Sequence, residues 1–393
     1  MNAPSAIPLS GWADAQLTAL AVLTGSRGIA ALSGATLLGE RAALNGFSIP
    51  GRVSAGGGCQ LFEAREGHVA LNLARPDDRE LLPALFGDAT VDGDDDEAIA
   101  SRLRQERAEE IVAKGRELGL AIACLDEQPV SPALAVTARG IATIPASRRP
   151  LVVDLSSLWA GPLAAHLIGL AGAEVIKIES RNRPDMMRAG DPALFARLNQ
   201  HKANVAFDLR DPPDRDALVA LIRRADIVIE ASRPRALLQL GIDADALVRE
   251  VPGLVWVTIT GHGITGDAAQ WTGFGDDCSV AGGLSAALFA ATGTIGFGGD
   301  ACADPLTGIL AARAALEQRQ RGTGARLILS MSAVVAEALK VERNTYANAL
   351  DRTLQRWAAG RGQPFPALAA RPTGPVAALG ADNAAWLTQC PTC

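Results

Sequence analysis

The stretch DACADPLTG, residues 300–308, holds the side chain best placed for chemistry in this sequence: the carboxylate of Asp304, directly before Pro305. Leu306, Ile309, Ala312 and Leu316 follow at helical spacing, so local rules predict that Asp304 is an N-cap with proline at the first helical position. A helix start also favours a charged carboxylate through its dipole and free N–H groups. A second feature is the glycine run Gly56-Gly57-Gly58, between Val53 and the apolar run Val69–Leu73. Three glycines beside a strand make a turn, and their bare backbone can approach a ligand closely or close over it.

Other chemistries fit the residues less well. After the first strand of the later half the chain reads SSLWAGPLAAHL, where a dinucleotide site needs GxGxxG, so Glu179 at the end of the next strand has no phosphate loop to work with. There is no GxSxG motif, and the four histidines, His68, His166, His201 and His262, are far apart in sequence. His166 falls inside a helix and reads as packing, whereas His262, in the glycine-rich turn GHGITG, is kept as a site candidate. Six cysteines scattered over 393 residues make no disulfide framework, and the closing Cys390-Pro391-Thr392-Cys393 lacks two further ligands nearby, so no metal is expected. The acidic cluster Asp92–Glu97 is not a calcium loop, because the position for the bidentate glutamate holds Leu103. It reads as a solvated loop entering a helix over Glu97–Leu118.

The elements that must position these residues change character along the chain. Residues 1–148 predict a small α+β domain with the glycine loop, ending in a linker over Glu127–Arg149 that carries three prolines. Residues 149–345 alternate short apolar β-branched runs (Leu151–Leu155, Glu174–Ile178, Asn204–Leu209, Asp226–Ile229, Leu254–Ile259, Arg326–Ser330) with helical stretches, the pattern of buried parallel strands. The expected fold is α/β, a doubly wound parallel sheet of Rossmann-like type with its ligand at the carboxyl ends of the strands. Residues 346–393 are expected to return to the large or the small domain. The small-residue stretch from Gly261 to Gly308 implies close approach of backbone to a ligand or to other backbone.

With 48% hydrophobic and 20% charged residues, the chain can bury a sizeable core. A net charge of −6 without a basic stripe points away from nucleic acid and anionic membrane surfaces. No stretch of about 18 apolar residues occurs, and MNAPSAIPLSGW has neither the charged nor the apolar region of a signal peptide, so a cytoplasmic location is expected.

Five ordered blocks resemble the class III CoA-transferases of the CaiB/BaiF type, which include formyl-CoA and carnitine CoA-transferases and α-methylacyl-CoA racemases. They are LVVDLSSLWAGPLAAHLIGLAGAEVIKIES, LNQHKANVAFDLRDP, ADIVIEASRPRALLQLGID, DPLTGILAARAAL and RGTGARLILSM. GRVSAGGGCQLF, GHVALNLARPDD and ELGLAIACLDE are similar to the family's small domain, which normally follows these blocks, so the domain order looks permuted. The resemblance implies a CoA-transferase, with Asp304 as nucleophile forming aspartyl-acyl anhydride and aspartyl-CoA thioester intermediates and the loop Gly56, Gly57 and Gly58 closing over them. It implies coenzyme A and acyl-CoA as substrates with no tightly bound cofactor, a small carboxylic acid as acceptor, and a homodimer, possibly interlocked. By block position, Trp159, Arg181, Arg210, Ala236, Gln239 and Leu240 are the expected CoA contacts, the arginines on phosphates.

The sequence also departs from the family pattern. Phe274-Gly275 stands where racemases of the family carry a His–Asp pair, and where formyl-CoA-type members carry an acid at the position of Gly275. Asp276 and Asp277 are adjacent substitutes for that acid. Arg235 occupies a position usually held by glycine, and Trp159 one often polar. The alternatives are an acyl-CoA racemase or isomerase, and a catalytically silent CoA-binding protein. Asp300, four residues before Asp304, is a rival for the nucleophile if it is the one that faces the glycine loop.

Overall fold

The computed structural model describes residues 7–144 and 148–387, the side chains of residue 234 and residues 346–348 excepted; Cys390-Pro391-Thr392-Cys393 lies outside the described residues. A small antiparallel sheet runs in the order β1 (Cys59–Glu63), β2 (His68–Asn72), β3 (Ala121–Cys124). The large sheet contains β4 (Leu134–Ala142), β5 (Leu151–Asp154), β6 (Glu174–Ser180), β7 (Ala203–Phe207), β8 (Ile227–Glu230), β9 (Val255–Thr260) and β10 (Thr323–Ser330). Its order is β4-β10-β9-β8-β5-β6-β7, parallel throughout except for the antiparallel edge pair β4/β10. The fold is Rossmann-like α/β.

Period-2 alternation explains why these runs are continuously apolar. Val152, Ile227, Ile229, Val255 and Val257 face one core, which the helices Ala160–Leu170 and Ala303–Gln320 cover. Leu151, Val153, Val228, Leu254 and Trp256 face the other, under Pro212–Ile222 and Ala244–Glu250. A strand with helices on both faces has no side for polar residues. The chain starts at β5, winds outward through β6 and β7, and then restarts on the other side at β8. The strand order therefore reverses between β5 and β8, where doubly wound sheets open a crevice at their carboxyl ends.

The expected division of the chain needs correction at its first boundary. The helices Ser10–Thr24 and Gly34–Asn45 do not belong with the small sheet: Trp12, Leu17, Leu20, Leu37 and Leu38 share one core with the Ala303–Gln320 helix. The small unit is instead built around β1–β3, with Leu82, Leu85, Ile99, Leu103 and Ile111 packed on one face. Its other face, through Cys59, Leu61, Ala70 and Ala123, meets Val280 and Ala281 of the helix Gly275–Ala281. The proline-containing linker expected over Glu127–Arg149 supplies β4, an edge strand of the large sheet. The C-terminal segment returns to the large unit: Arg371 pairs with Glu40, and Asn383 donates to and accepts from the backbone of Ala206 on β7 at 3.0 and 2.9 Å.

One local expectation also changes. The helix expected over Glu97–Leu118 is two helices, Asp96–Leu103 and Ala108–Glu117. Between them Glu106 accepts from Arg65 N at 2.9 Å and Arg107 bridges Glu66, which takes the backbone out of the helical ladder. The small-residue stretch contains the helices Gly275–Ala281 and Leu284–Thr292, and some of its glycines let backbones meet, as expected: a Cβ on Gly261 would lie 3.0 Å from Gly273 Cα.

Candidate active site

Asp304 lies where two helix starts meet. Its helix begins two residues earlier than the proline suggests, at Ala303, with Cys302 at the cap and no side-chain capping bond. The N-cap reading is therefore wrong, and the reason is local: Ala301 takes a left-handed φ of 42°, which turns the chain into the helix before Asp304 is reached. Freed from capping its own helix, the Asp304 carboxylate accepts the backbone N–H of Ala160, the first residue of the Ala160–Leu170 helix. The anion-favouring helix start that it uses belongs to the neighbouring helix.

That neighbour is held from beneath by two buried lysines. Lys202 Nζ donates to Asp154 Oδ2 at 2.8 Å, to Pro162 O at 2.9 Å and to Asn199 Oδ1 at 2.9 Å. Lys177 Nζ donates to Asp185 Oδ2 at 2.9 Å and to Ser156 O. Together they fix the turn between β5 and the Ala160–Leu170 helix, and with it the amide that Asp304 uses. Burial pushes Lys202 down to about 8 despite the adjacent Asp154.

Among the described residues, four carboxylates and one guanidinium share the site. Asp300 is fully buried and forms a bidentate pair with Arg41, whose Nε lies 3.0 and 3.1 Å from the two oxygens. Burial works against the charge of Arg41, but Asp300 holds its pKa above the ordinary arginine value. The guanidinium stacks 5.2 Å from the Trp159 ring centroid. Asp276 accepts Ala301 N at 2.9 Å and a hydrogen bond from Ser54, and burial pushes it up to about 6. Asp277 accepts Asn72 Nδ2 at 2.9 Å and Phe274 N at 3.0 Å, and burial pushes it up to about 7. Asp304 rises to about 7: burial is the largest cause, Asp276 and Asp300 add to it, and Arg41 and the Ala160 amide oppose it. Asp276, Asp277 and Asp300 are buried, whereas Asp304 is partly exposed.

The glycine turn approaches this cluster through its neighbours. Residues 55–58 form a tight turn before β1, closed by Gly57 N donating to Ser54 O at 2.9 Å, with Gly57 at φ 78°. A Cβ on Gly56 would lie 3.2 Å from Arg41 Nη2. Arg41 thus stands between the turn and Asp300, and Ser54 ties the turn to Asp276. Through Arg41 the turn thus approaches Asp300, whose oxygens that guanidinium takes up, while Asp304 keeps part of its surface open.

The expected CoA contacts line the carboxyl edge of the sheet. Trp159 follows β5, Arg181 follows β6, Arg210 follows β7, and Ala236, Gln239 and Leu240 belong to the short helix after β8 and its cap. Trp159 is buried, covered by Arg41. Arg181 pairs with Asp214 at 3.2 Å and Arg210 with Asp208 at 3.4 Å, both from exposed positions. Ala236 and Leu240 are half-buried, and Gln239 and Arg235 are exposed. The structure thus joins Trp159, Asp304 and Gly56 around Arg41, and leaves the other contacts spread along the edge. Arg41, Ser54, Asn72, Lys177 and Lys202 carry no sequence signal of a site; each is found only once the chain is folded.

The chain is similar to several known proteins. Over 254 residues the chain is 28% identical to the succinyl-CoA:glutarate CoA-transferase of Mus musculus, covering 60% of this chain and 58% of that protein. Over 149 residues it is 32% identical to the succinyl-CoA–D-citramalate CoA-transferase of Chloroflexus aurantiacus, covering 35% of this chain and 37% of that protein. The chain thus spans only part of the length of either relative. A solved CaiB/BaiF family protein from Brucella suis shares 27% identity over 51% of this chain and 57% of its own, with a TM-score of 0.43. The family model described as CoA-transferase family III matches residues 150–386, more than half of the chain, a span that takes in β5–β10 and Asp304; the chain belongs to that family.

Proposed function

We propose that the protein transfers coenzyme A from an acyl-CoA to a small carboxylic acid, with Asp304 as the nucleophile. The observation that carries this reading is that Asp304 alone of the four clustered carboxylates is partly exposed, while it accepts a helix N-terminal amide beside a paired arginine. A carboxylate oxygen of Asp304 attacks the thioester carbonyl, the C–S bond breaks, and CoA leaves as thiolate from a mixed anhydride. The thiolate then attacks the Asp304 carbonyl carbon and expels the donor acid, leaving an aspartyl-CoA thioester. The acceptor carboxylate repeats the sequence in reverse and departs as its CoA thioester, restoring Asp304.

The site's electrostatics suit these steps. Asp300 and Arg41 neutralise each other, while Asp276 raises the cost of ionising Asp304, so Asp304 attacks once its carboxylate is charged. The turn Gly56–Gly58 shields the anhydride from water, which would otherwise hydrolyse it. CoA lies along the strand ends past Trp159, Arg181, Arg210, Ala236, Gln239 and Leu240, with no tightly bound cofactor needed. The enzyme works as a cytoplasmic homodimer, and its small β1–β3 unit precedes the family's large domain in a permuted order.

Incubation with acyl-CoA and hydroxylamine, followed by peptide mapping, tests the assignment. A hydroxamate at Asp304, absent in Asp304→Asn, is expected. Transfer that persists in a folded Asp304→Asn, or an adduct at another aspartate, overturns it. Exchange of the α-proton without any adduct identifies a racemase instead.

A further inference from the structure

We propose that His262, Asp277 and Cys278 form a binding site for a single zinc ion. His262 lies in the loop after β9, and the other two lie on the helix Gly275–Ala281, yet a ligand atom from each falls within 4.8 Å of the other two. Zinc bonds of about 2.0–2.3 Å place tetrahedral ligand atoms roughly 3.3–3.8 Å apart, so small side-chain rotations close the set. The Cys278 Sγ to Asp277 Oδ2 distance, 3.9 Å, is already near that range.

The feature that asks for a ligand is His262 itself. It is only 3% exposed, and its Nε2 is buried without a hydrogen-bond partner among the described residues. A buried imidazole nitrogen with nothing to bond is costly, and a cation removes that cost. The space in front of it is kept open by glycine. A Cβ at position 273 would lie 2.5 Å from Cys278 Sγ and 3.1 Å from His262 Nε2.

The surroundings match a metal centre in charge and in orientation. One thiolate and one carboxylate neutralise a divalent ion. Arg116, over the Trp271 ring that meets His262 edge-on, is answered by Glu127 at 2.7 Å. Asp277 Oδ1 is held by Asn72 and Phe274, the kind of outer partner that fixes a ligating carboxylate. Gly261 O, 3.6 Å from Cys278 Sγ, is at hand as a fourth ligand, or water takes that position. Nitrogen, sulfur and oxygen in one set favour zinc over magnesium or calcium, which take oxygen alone. The ion would pin the loop after β9 to the helix whose first residue, Gly275, lies against Asp304.

The test uses the full chain with Cys390→Ser and Cys393→Ser, so that the terminal thiols cannot contribute. After zinc loading and desalting, elemental analysis is expected to show about one zinc per chain, falling at least about tenfold in His262→Gln and Cys278→Ser. Cobalt-loaded protein is expected to show thiolate-to-cobalt charge-transfer absorption that Cys59→Ser retains and Cys278→Ser loses. Absence of retained zinc, or of the thiolate band in the parent protein, overturns the site whether or not the variants fold. Equal zinc in folded Cys278→Ser also overturns it.

Discussion

Gly275 and Asp304 are in direct contact: a Cβ on Gly275 would lie 2.1 Å from Asp304 Oδ2 and 2.5 Å from Ala301 O. No side chain fits there, so an assisting acid of the kind some family members carry at this position is sterically excluded in this fold. The next residue, Asp276, is an acid close enough to raise the pKa of Asp304. Gly275→Ala is expected to push the carboxylate off the Ala160 amide. A displacement near 1 Å costs about 10²-fold in rate. Steady-state kinetics should show that loss in kcat, with CoA binding by calorimetry within about twofold, because the proposed strand-end contacts are untouched.

Arg41 balances a buried charge, and its removal should be read in two ways. Arg41→Met leaves Asp300 buried and unpaired, which costs about 3–5 kcal/mol. The double variant Arg41→Met/Asp300→Asn should recover most of that stability in denaturant titration. Its rate profile should still differ from the parent's, because Arg41 also lowers the pKa of Asp304. The acidic limb of kcat/KM is expected to move with the balance between losing Arg41 and losing Asp300. A profile unchanged in Arg41→Met with Asp300 intact would remove Arg41 from the electrostatics of the site.

Stability and activity should oppose each other with pH at Asp304. Its pKa in the folded chain, about 7, lies above the ordinary carboxylate value, so the folded state holds a proton that the unfolded chain releases. The stabilising contribution is complete below the unfolded pKa of about 4 and is lost as pH rises through about 7. Asn cannot ionise and escapes that loss. Melting curves of Asp304→Asn and the parent should coincide near pH 4 and separate by on the order of a few °C at pH 8, with the inactive variant the more stable. The parent's transfer rate should rise over the same interval, as the carboxylate becomes charged.

The legible parts of this fold are those that rest on local pattern. β5, β8 and β9 announce themselves because burial on both faces forces uninterrupted apolar runs, and the Ala303–Gln320 helix because its apolar spacing is regular. β4 is mostly exposed and stands beside prolines, and only its partner β10 makes it a strand. Arg41 could not be tied to Asp300 in advance, since 259 residues separate them. The N-cap error at Asp304 has the same origin: the Asp-Pro pair fits a cap, but the left-handed Ala301 and the distant Ala160 amide set the actual geometry. Local sequence fixes elements, whereas the charge environment of a site comes from contacts between elements far apart in the chain.

The glycine turn offers the most selective test of water exclusion. Gly57 has φ 78°, a conformation that costs a non-glycine residue about 1 kcal/mol or more, yet a Cβ there would touch nothing within 4 Å. Gly57→Ala therefore strains the turn without introducing a clash, and leaves Asp304, Arg41 and Asp300 in place. The expected outcome is a nearly normal rate of anhydride formation in single-turnover experiments, with a larger share of acyl-CoA lost to hydrolysis. Free thiol release without acceptor, measured against CoA transferred, reports that partition. A rise of several-fold in the hydrolytic share supports a covering role for the turn. An unchanged partition with a slower first step would instead make the turn part of substrate binding.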